Sequence, residues 1–340
     1  MLQEIKEQPA ALARILQRGQ TELKNWRAIL PSNPQLIILV ARGSSDNAAL
    51  FGRYLLELST GIPVSLAAPS IHTLYRKRLR LQNTLVIGVS QSGEGKDINI
   101  VLESCRRSGA CTLGITNERN STMASLVDAL FWTGVGRERS VAATKTYTAQ
   151  LMAFYILARV LSPTTTQIPI EDIPELTAAA LKLEPEIDSL VERYRFMRHC
   201  VVVARGLNYA NACEFAIKLM ETSYLVAKPY SSADFLHGPV AVIERDFPAF
   251  VFAPRGRTLA DMGKLIKRLR ELQSETLVIS SEASICRLAS KSIRLPKRID
   301  ELLSPIPYVI PAQLFAALLA ERRGLDPDNP RSLTKITQTV

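Results

Sequence analysis

Residues 36–46 read Leu-Ile-Ile-Leu-Val-Ala-Arg-Gly-Ser-Ser-Asp, and residues 201–206 return to the same pattern as Val-Val-Val-Ala-Arg-Gly. Each Ala-Arg-Gly triplet (Ala41 to Gly43, Ala204 to Gly206) follows an apolar, strand-like run and precedes a helical segment, at an offset of 163 (206 minus 43). Self-similarity at a fixed offset marks a duplicated unit. Carried down the helix without a gap, the offset pairs Glu214 with Phe51, Lys218 with Leu55 and Glu221 with Leu58. Spacings of i, i+4 and i+7 keep all three on one helix face, which in the first copy is apolar and expected to be buried. Charges on such a face are costly unless they are paired or used. A solvated stripe or a structural ion pair is the plain alternative, but a twin copy that does without the charges argues for use.

A chain of 340 residues suits about two domains, and 47% hydrophobic residues can fill two ordinary cores. The formal charge of +10 suggests an anionic ligand. Basic residues are scattered apart from Arg76-Lys77-Arg78 and Arg106-Arg107, and none alternate with aromatics, so a phosphorylated small molecule is favoured over nucleic acid. The five cysteines (Cys105, Cys111, Cys200, Cys213, Cys286) are odd in number and lack CxxC spacing. They read as reduced core thiols of a cytoplasmic protein, neither a disulfide frame nor a metal site. No signal peptide heads the chain, and no apolar run approaches the roughly 20 residues that span a bilayer.

Residues 1–30 read as an amphipathic helical segment, ended by Pro31 and Pro34. Residues 31–163 offer strands near 36–41, 63–67, 84–89, 111–116 and 129–133, with helices near 46–59, 69–78, 96–108 and 142–161. Ser162-Pro163-Thr164-Thr165-Thr166 breaks the pattern, and residues 164–196 form a helical connector. Residues 197–325 offer strands near 200–204, 248–253, 275–280 and 292–295, with helices near 210–226, 257–272 and 306–322. Nearly continuous apolar strands alternating with helices imply parallel sheets covered on both faces, an α/β fold. Residues 326–340 carry Pro327 and Pro330 with little periodicity and read as a tail.

Open parallel sheets bind ligands beyond the carboxyl ends of their strands. There, Ser90-Gln91-Ser92-Gly93-Glu94-Gly95 follows one apolar strand and opens a helix near Lys96. Gly93 and Gly95 allow close backbone approach, Ser90, Gln91 and Ser92 can donate, and the helix N-terminus favours an anion. Gly43-Ser44-Ser45-Asp46 repeats the arrangement one crevice over. Each turn alone could be a cap, but two hydroxyl-rich turns in one sheet favour a phosphate site. No G-x-G-x-x-G follows a strand with an acidic residue at the right distance, so no nicotinamide cofactor is expected, nor any other cofactor.

Six blocks in order carry a family resemblance: Gly43-Ser44-Ser45; Ser90 to Glu94; Ala143-Thr144-Lys145-Thr146-Tyr147-Thr148-Ala149-Gln150; Glu214 to Glu221; His237-Gly238-Pro239; and Pro330 to Lys335. They resemble the sugar isomerase (SIS) family, and within it the isomerase halves of glutamine–fructose-6-phosphate aminotransferases. Glu4 to Pro9 resembles the start of that half, so the likeness runs end to end. It implies two SIS domains, each a flavodoxin-like three-layer sandwich. It also implies that Ser44, Ser45, Ser90, Gln91, Ser92 and Gly95 lie at the sugar phosphate and that Glu221 moves a proton between C1 and C2. Lys218 and Glu214 assist at the hydroxyls, His237 opens the ring, and Lys335 lies on a C-terminal loop folding over the sugar. By the same resemblance the chain is a homodimer in which His237 serves the neighbouring subunit's site. Two positions depart from the family pattern, Gly95 and Ala143, where hydroxyl residues are common; each loses a donor, for which Lys96 or Lys145 could compensate.

The residue chemistry points the same way. Aldose–ketose exchange needs a carboxylate that takes and returns a proton beside a cation that stabilises charge on oxygen, and Glu221 beside Lys218 supplies that pair. The chain begins Met1-Leu2-Gln3 with no cysteine before Cys105, so the glutamine-hydrolysing nucleophile of those aminotransferases has no counterpart here. The expected reaction is therefore isomerising deamination of glucosamine 6-phosphate to fructose 6-phosphate and ammonia. Other readings are a deglycase of glycated amino acid phosphates, a synthase half served by a separate glutaminase subunit, and a sugar-phosphate sensor. Nucleic acid and membrane partners are not expected.

Overall fold

The computed structural model describes residues 1–162 and 168–335, and for residues 20–25 the backbone alone. In chain order the first half contains α1 (Leu2–Lys6), α2 (Gln8–Ile29), β1 (Leu36–Val40), α3 (Ser44–Thr60), β2 (Val64–Leu66) and α4 (Ser70–Thr73), followed by β3 (Thr84–Val89), α5 (Lys96–Arg107), β4 (Cys111–Thr116), α6 (Thr122–Leu126), β5 (Ala129–Trp132) and α7 (Lys145–Leu161). The second half contains α8 (Ile173–Leu181), α9 (Glu184–Val191), β6 (His199–Ala204), α10 (Tyr209–Ser223), β7 (Val226–Ser231) and α11 (Ser232–Leu236), followed by β8 (Pro248–Phe252), α12 (Leu259–Glu271), β9 (Glu275–Ser280), α13 (Ala283–Cys286), β10 (Lys291–Arg294) and α14 (Pro305–Arg322).

Two compact units result, each holding one five-stranded sheet. The first gathers Ala10–Glu138, Lys145–Glu171 and the described residues from Leu333 on; the second gathers Met1–Pro9, Arg139–Thr144 and Asp172–Ser332. Both sheets are parallel throughout, in the orders β2-β1-β3-β4-β5 and β7-β6-β8-β9-β10. This is one topology used twice, the doubly wound order whose switch point lies between the first and third strands of each unit.

The offset of 163 extends well past the glycine turns. Applied to β1, α3, β2, β3, α5, β4 and β5, it lands within two residues of the starts of β6, α10, β7, β8, α12, β9 and β10. Helices α3 and α10 end at the same repeat position, Thr60 and Ser223. Each then stops in a left-handed residue, Gly61 at φ 70° and Tyr224 at φ 55°. Glycine adopts that conformation freely, whereas a tyrosine needs its surroundings to hold it.

All six residues of β3 are buried, as expected of a central strand covered on both faces. Its Val86 packs with Ile38, Val40, Val101 and Leu102 in the first unit. In the second, Val201, Val203, Val251, Leu265 and Val278 form the equivalent layer. Behind α10, Phe215 meets Phe250 and Phe315 edge-on at 5.2 and 5.7 Å between ring centroids. Each such fully buried side chain contributes roughly 1.5–3 kcal/mol.

Three local expectations need correction. The helix expected near 69–78 stops at Thr73, and Arg76 takes a positive φ of 50°. The helix expected to run to 226 ends at Ser223, and Val226–Ser231 forms β7, a strand without a counterpart in the sequence-based pattern. Pro229 hides it: proline cannot donate to a ladder, but β7 is an edge strand and tolerates it. Finally, the segment from Asp326 does not behave as a loose tail up to Lys335. Val141 N–H donates to the Asp328 carbonyl at 3.1 Å, and Arg331 N–H donates to the Tyr224 hydroxyl at 2.8 Å. The break at 163–166 and the last residues, 336–340, lie outside the described residues.

Candidate active site

In the first unit, β1 and β3 are neighbours, so the turns leaving them flank the switch point of the sheet. Gly43 caps α3 at φ 57°, and Ser44 and Ser45 open the helix. The Ser45 hydroxyl accepts a hydrogen bond from Gln150 Nε2 at 2.9 Å. In the other turn, Ser90 Oγ accepts the Gly93 N–H at 3.0 Å and Ser92 Oγ accepts the Glu94 N–H at 3.2 Å. The hydroxyl oxygens thereby shape the loop and keep their O–H groups available as donors. The Gln91 carbonyl accepts from Asn117 N–H and Thr116 Oγ at 3.1 and 3.2 Å, and Asn99 Nδ2 donates to the Gly93 carbonyl at 3.1 Å.

Gly93 is demanded by the turn. Its φ is 68°, and a Cβ there would lie 2.2 Å from Ser121 Oγ. Gly95 is different: as the residue before α5 it has an ordinary φ of −63°. A side chain fits its backbone conformation, so its glycine is a choice of space at the loop rather than a conformational need.

Sequence reasoning missed one charged pair here. Arg42, leaving β1, donates from Nε to Asp97 Oδ2 at 2.6 Å, tying that turn to the first turn of α5. Asp97 is buried and also accepts its neighbour Ile98 N–H at 2.9 Å. Burial pushes the Asp46 carboxyl above its usual range, with Arg42 pulling the other way.

In the second unit, Ala210, Ala212, Ala216 and Leu219 give α10 good helix formers and a packed face. Glu214 and Lys218 have side chains 0% and 1% exposed, 3.6 Å apart. Lys218 Nζ also donates to Glu221 Oε2 at 2.5 Å, and Glu221 is 23% exposed. The three predicted charges are therefore brought together, with the cation between two carboxylates. The expectation of one buried face holds for the first two positions only. Phe51 and Leu55 are fully buried in α3, but Leu58 is 66% exposed, so the third position turns outward in both copies. That outward turn leaves Glu221 reachable by a ligand while Glu214 and Lys218 stay sealed beneath it.

His237 is exposed on the turn that ends α11. Lys335 pairs with the fully buried carboxylate of Glu138 at 2.9 Å. Glu138 also accepts from Thr146 N–H and Oγ at 3.1 and 2.6 Å, which fixes it to the first turn of α7. Lys145 is buried, and its Nζ donates to the Arg137 carbonyl at 2.8 Å. Glu138 and Arg42 carried no sequence signal, because their partners lie 8 to 197 and 55 positions away.

Residues 32–160 and 195–320 each match the SIS domain family. This chain belongs to the SIS domain family. Its two SIS domains carry the two sheets, and both glycine turns of the repeat fall inside the matched segments. The chain is 36% identical over 98% of its length to the isomerizing glutamine–fructose-6-phosphate aminotransferase of Gloeobacter violaceus, and 34% identical over 98% to that of Thermococcus kodakarensis. It spans 58% and 57% of those relatives' lengths. Among solved structures, the C-terminal domain of glucosamine-fructose-6-phosphate aminotransferase from Francisella tularensis superposes with a TM-score of 0.89 at 27% identity, covering 97% of this chain and 98% of that one. No helix among the described residues is long and apolar enough to cross a membrane.

Proposed function

We propose that this chain is a sugar-phosphate aldose–ketose isomerase acting on an amino sugar, converting glucosamine 6-phosphate and water to fructose 6-phosphate and ammonia. The observation that carries the reading is the α10 cluster, a carboxylate reachable by a ligand with a buried lysine 2.5 Å away and a second carboxylate beneath. Enolamine chemistry requires those parts. Ser44, Ser45, Ser90, Gln91, Ser92 and the N–H groups around Gly95 hold the phosphoryl group. His237 assists ring opening. Glu221 removes the C2 proton, the electron pair moves into the C1–C2 double bond, and C1 oxygen gains the charge that Lys218 offsets. Glu221 returns the proton to C1, leaving a C2 imine; water adds to it and ammonia departs.

Burial pushes the Cys105 thiol up to about 11 and raises Cys111, Cys200 and Cys286 as well. None of these four is poised as the thiolate that would free ammonia from glutamine. The relatives are glutamine–fructose-6-phosphate aminotransferases; the α10 cluster by itself serves the carbon chemistry with free ammonia. We also propose a homodimer in which His237 serves the neighbouring subunit, and a Lys335 that leaves Glu138 for the substrate when sugar binds.

The test is direct. Purified protein incubated with glucosamine 6-phosphate is expected to release ammonia and fructose 6-phosphate in equal amounts. Neither product appearing, at any enzyme concentration, rejects the proposal. Fructosyl amino acid phosphates run in parallel separate a deaminase from a deglycase.

A further inference from the structure

The second SIS domain repeats the switch point of the first, yet its turns carry different side chains. Under the offset of 163, Ser90, Gln91, Ser92, Gly93 and Gly95 correspond to Ala253, Pro254, Arg255, Gly256 and Thr258. The two serine hydroxyls are gone, and the backbone is kept in one turn only. Gly206 has φ 60° where Gly43 has 57°, whereas Gly256 opens to 157° where Gly93 has 68°. The turn still opens a helix, the 13-residue α12 with Thr258 as its cap.

A negative group already sits there. Glu301 Oε2 accepts the Thr258 N–H at 3.2 Å, and Oε1 accepts the Thr258 hydroxyl at 2.9 Å. A Cβ added to Gly256 would lie 2.3 Å from Glu301 Oε2, and one added to Gly206 would lie 3.3 Å from Oε1. The carboxylate thus rests against both turns at once, as a phosphoryl group would rest between Gly43 and Gly93 in the first domain. It is also held in place from behind. The Glu301 carbonyl accepts Ser304 Oγ at 2.8 Å, Asn208 Nδ2 donates to Ser304 Oγ at 2.7 Å, and Asn211 Nδ2 donates to Asn208 Oδ1 at 2.9 Å. Ser304, Asn208 and Asn211 are fully buried. Arg205, Arg255 and Arg257 in the same two turns add positive charge, with Arg255 and Arg257 exposed.

A helix cap alone does not call for two glycine turns, a hydroxyl and an N–H converging on one carboxylate. We infer that this crevice is a second oxyanion cradle, occupied by the chain's own Glu301 carboxylate, and that vacating it admits a phosphate ion or the phosphoryl group of a small phosphomonoester. A carboxylate and a phosphoryl oxygen pair accept from the same donors, so the built-in anion competes with any soluble one. The duplicated chain therefore keeps one phosphate site open and the other closed by itself.

The experiment measures inorganic phosphate binding by calorimetry on two pairs of chains: wild type beside Glu301→Ala, and Ser90→Ala/Ser92→Ala beside the same double variant carrying Glu301→Ala. Each pair is expected to differ by one phosphate per chain, gained when Glu301 is removed. Comparing within pairs keeps the result separate from the assignment of the first loop and from any turnover of glucosamine 6-phosphate. Because Glu301→Ala also uncaps α12, Glu301→Gln is measured beside it; its amide cannot accept from both Thr258 donors. Phosphate is expected to raise the Tm of the Gln variant with concentration, and Thr258→Val added to it is expected to abolish the rise. Equal phosphate stoichiometry within both pairs, or a Tm unmoved by phosphate in every folded Glu301 variant, overturns the inference.

Discussion

Helices α3 and α10 leave the same kind of Ala-Arg-Gly turn and end at the same repeat position in a left-handed residue, but they fill one face differently. The first buries Phe51 and Leu55 where the second buries Glu214 and Lys218. The turns differ in the opposite sense: hydroxyls line the first switch point, whereas Ala253, Pro254 and a self-supplied carboxylate line the second. One scaffold thus carries two specialised surfaces. A buried charge pair is a poor way to stabilise a helix that its twin stabilises with Phe and Leu, so its retention points to chemistry rather than folding.

The largest effect is expected from exchanging the outward positions of the two helices. Glu221→Gln should lower kcat about 10³-fold with little change in KM, since loss of a proton-transferring group costs roughly 10²–10⁴-fold. Leu58→Gln in the twin helix should leave kcat unchanged, as steady-state assays on both variants will show. The buried pair sharpens the contrast. Lys218→Met leaves Glu214 without its cation and should destabilise the protein by about 3 kcal/mol, whereas Leu55→Met in the twin should cost less than about 1.5 kcal/mol by urea denaturation.

Mixing subunits tests the proposed division of labour between copies of the chain. Co-refolded His237→Ala and Glu221→Gln chains should recover on the order of a quarter of wild-type activity, although each is nearly inactive alone, because one of the two sites in a mixed dimer is then intact. Recovery absent at all mixing ratios removes His237 from the neighbour's site. Gly93→Ala should raise KM more than Gly256→Ala, since the first collides with Ser121 in the loop proposed to hold substrate, whereas the second collides with Glu301 outside that loop.

The smallest effect is electrostatic and belongs to the second unit. Arg193 forks onto Glu275 at 2.6 and 2.9 Å, and this hydrogen bonding holds the Glu275 carboxyl below its ordinary 4.5 despite partial burial. A depressed folded value means the stabilisation is present above about pH 4.5 and fades as pH falls below it. Glu275→Gln should therefore lower Tm at pH 7 and converge with wild type as the pH drops toward 3.

Much of this architecture is legible in the sequence because a repeat is a long-range signal that needs no structure to detect. The Ala-Arg-Gly offset pairs the two glycine turns and the helices that follow them, and the i, i+4, i+7 spacing finds the Glu214, Lys218 and Glu221 cluster. What escapes is either disguised or distant. Pro229 disguises an edge strand, and the short helix at Ser70–Thr73 stops although residues beyond it keep a helical composition. Arg42 with Asp97, Glu138 with Lys335, and Glu301 with Thr258 join residues that only the folded chain brings together. The exposure of Leu58 shows the limit of a helical wheel: spacing names a face, and the neighbouring elements decide how far that face is covered.

The central claim is that Glu221 carries a proton between adjacent sugar carbons, and solvent exchange reads that step without reference to the amine. In deuterium oxide, wild-type protein is expected to place solvent deuterium at C1 of fructose 6-phosphate, observed by proton NMR, while Glu221→Gln binds the same sugar phosphate and leaves C1 unlabelled. Labelling by Glu221→Gln at the wild-type rate would contradict the account.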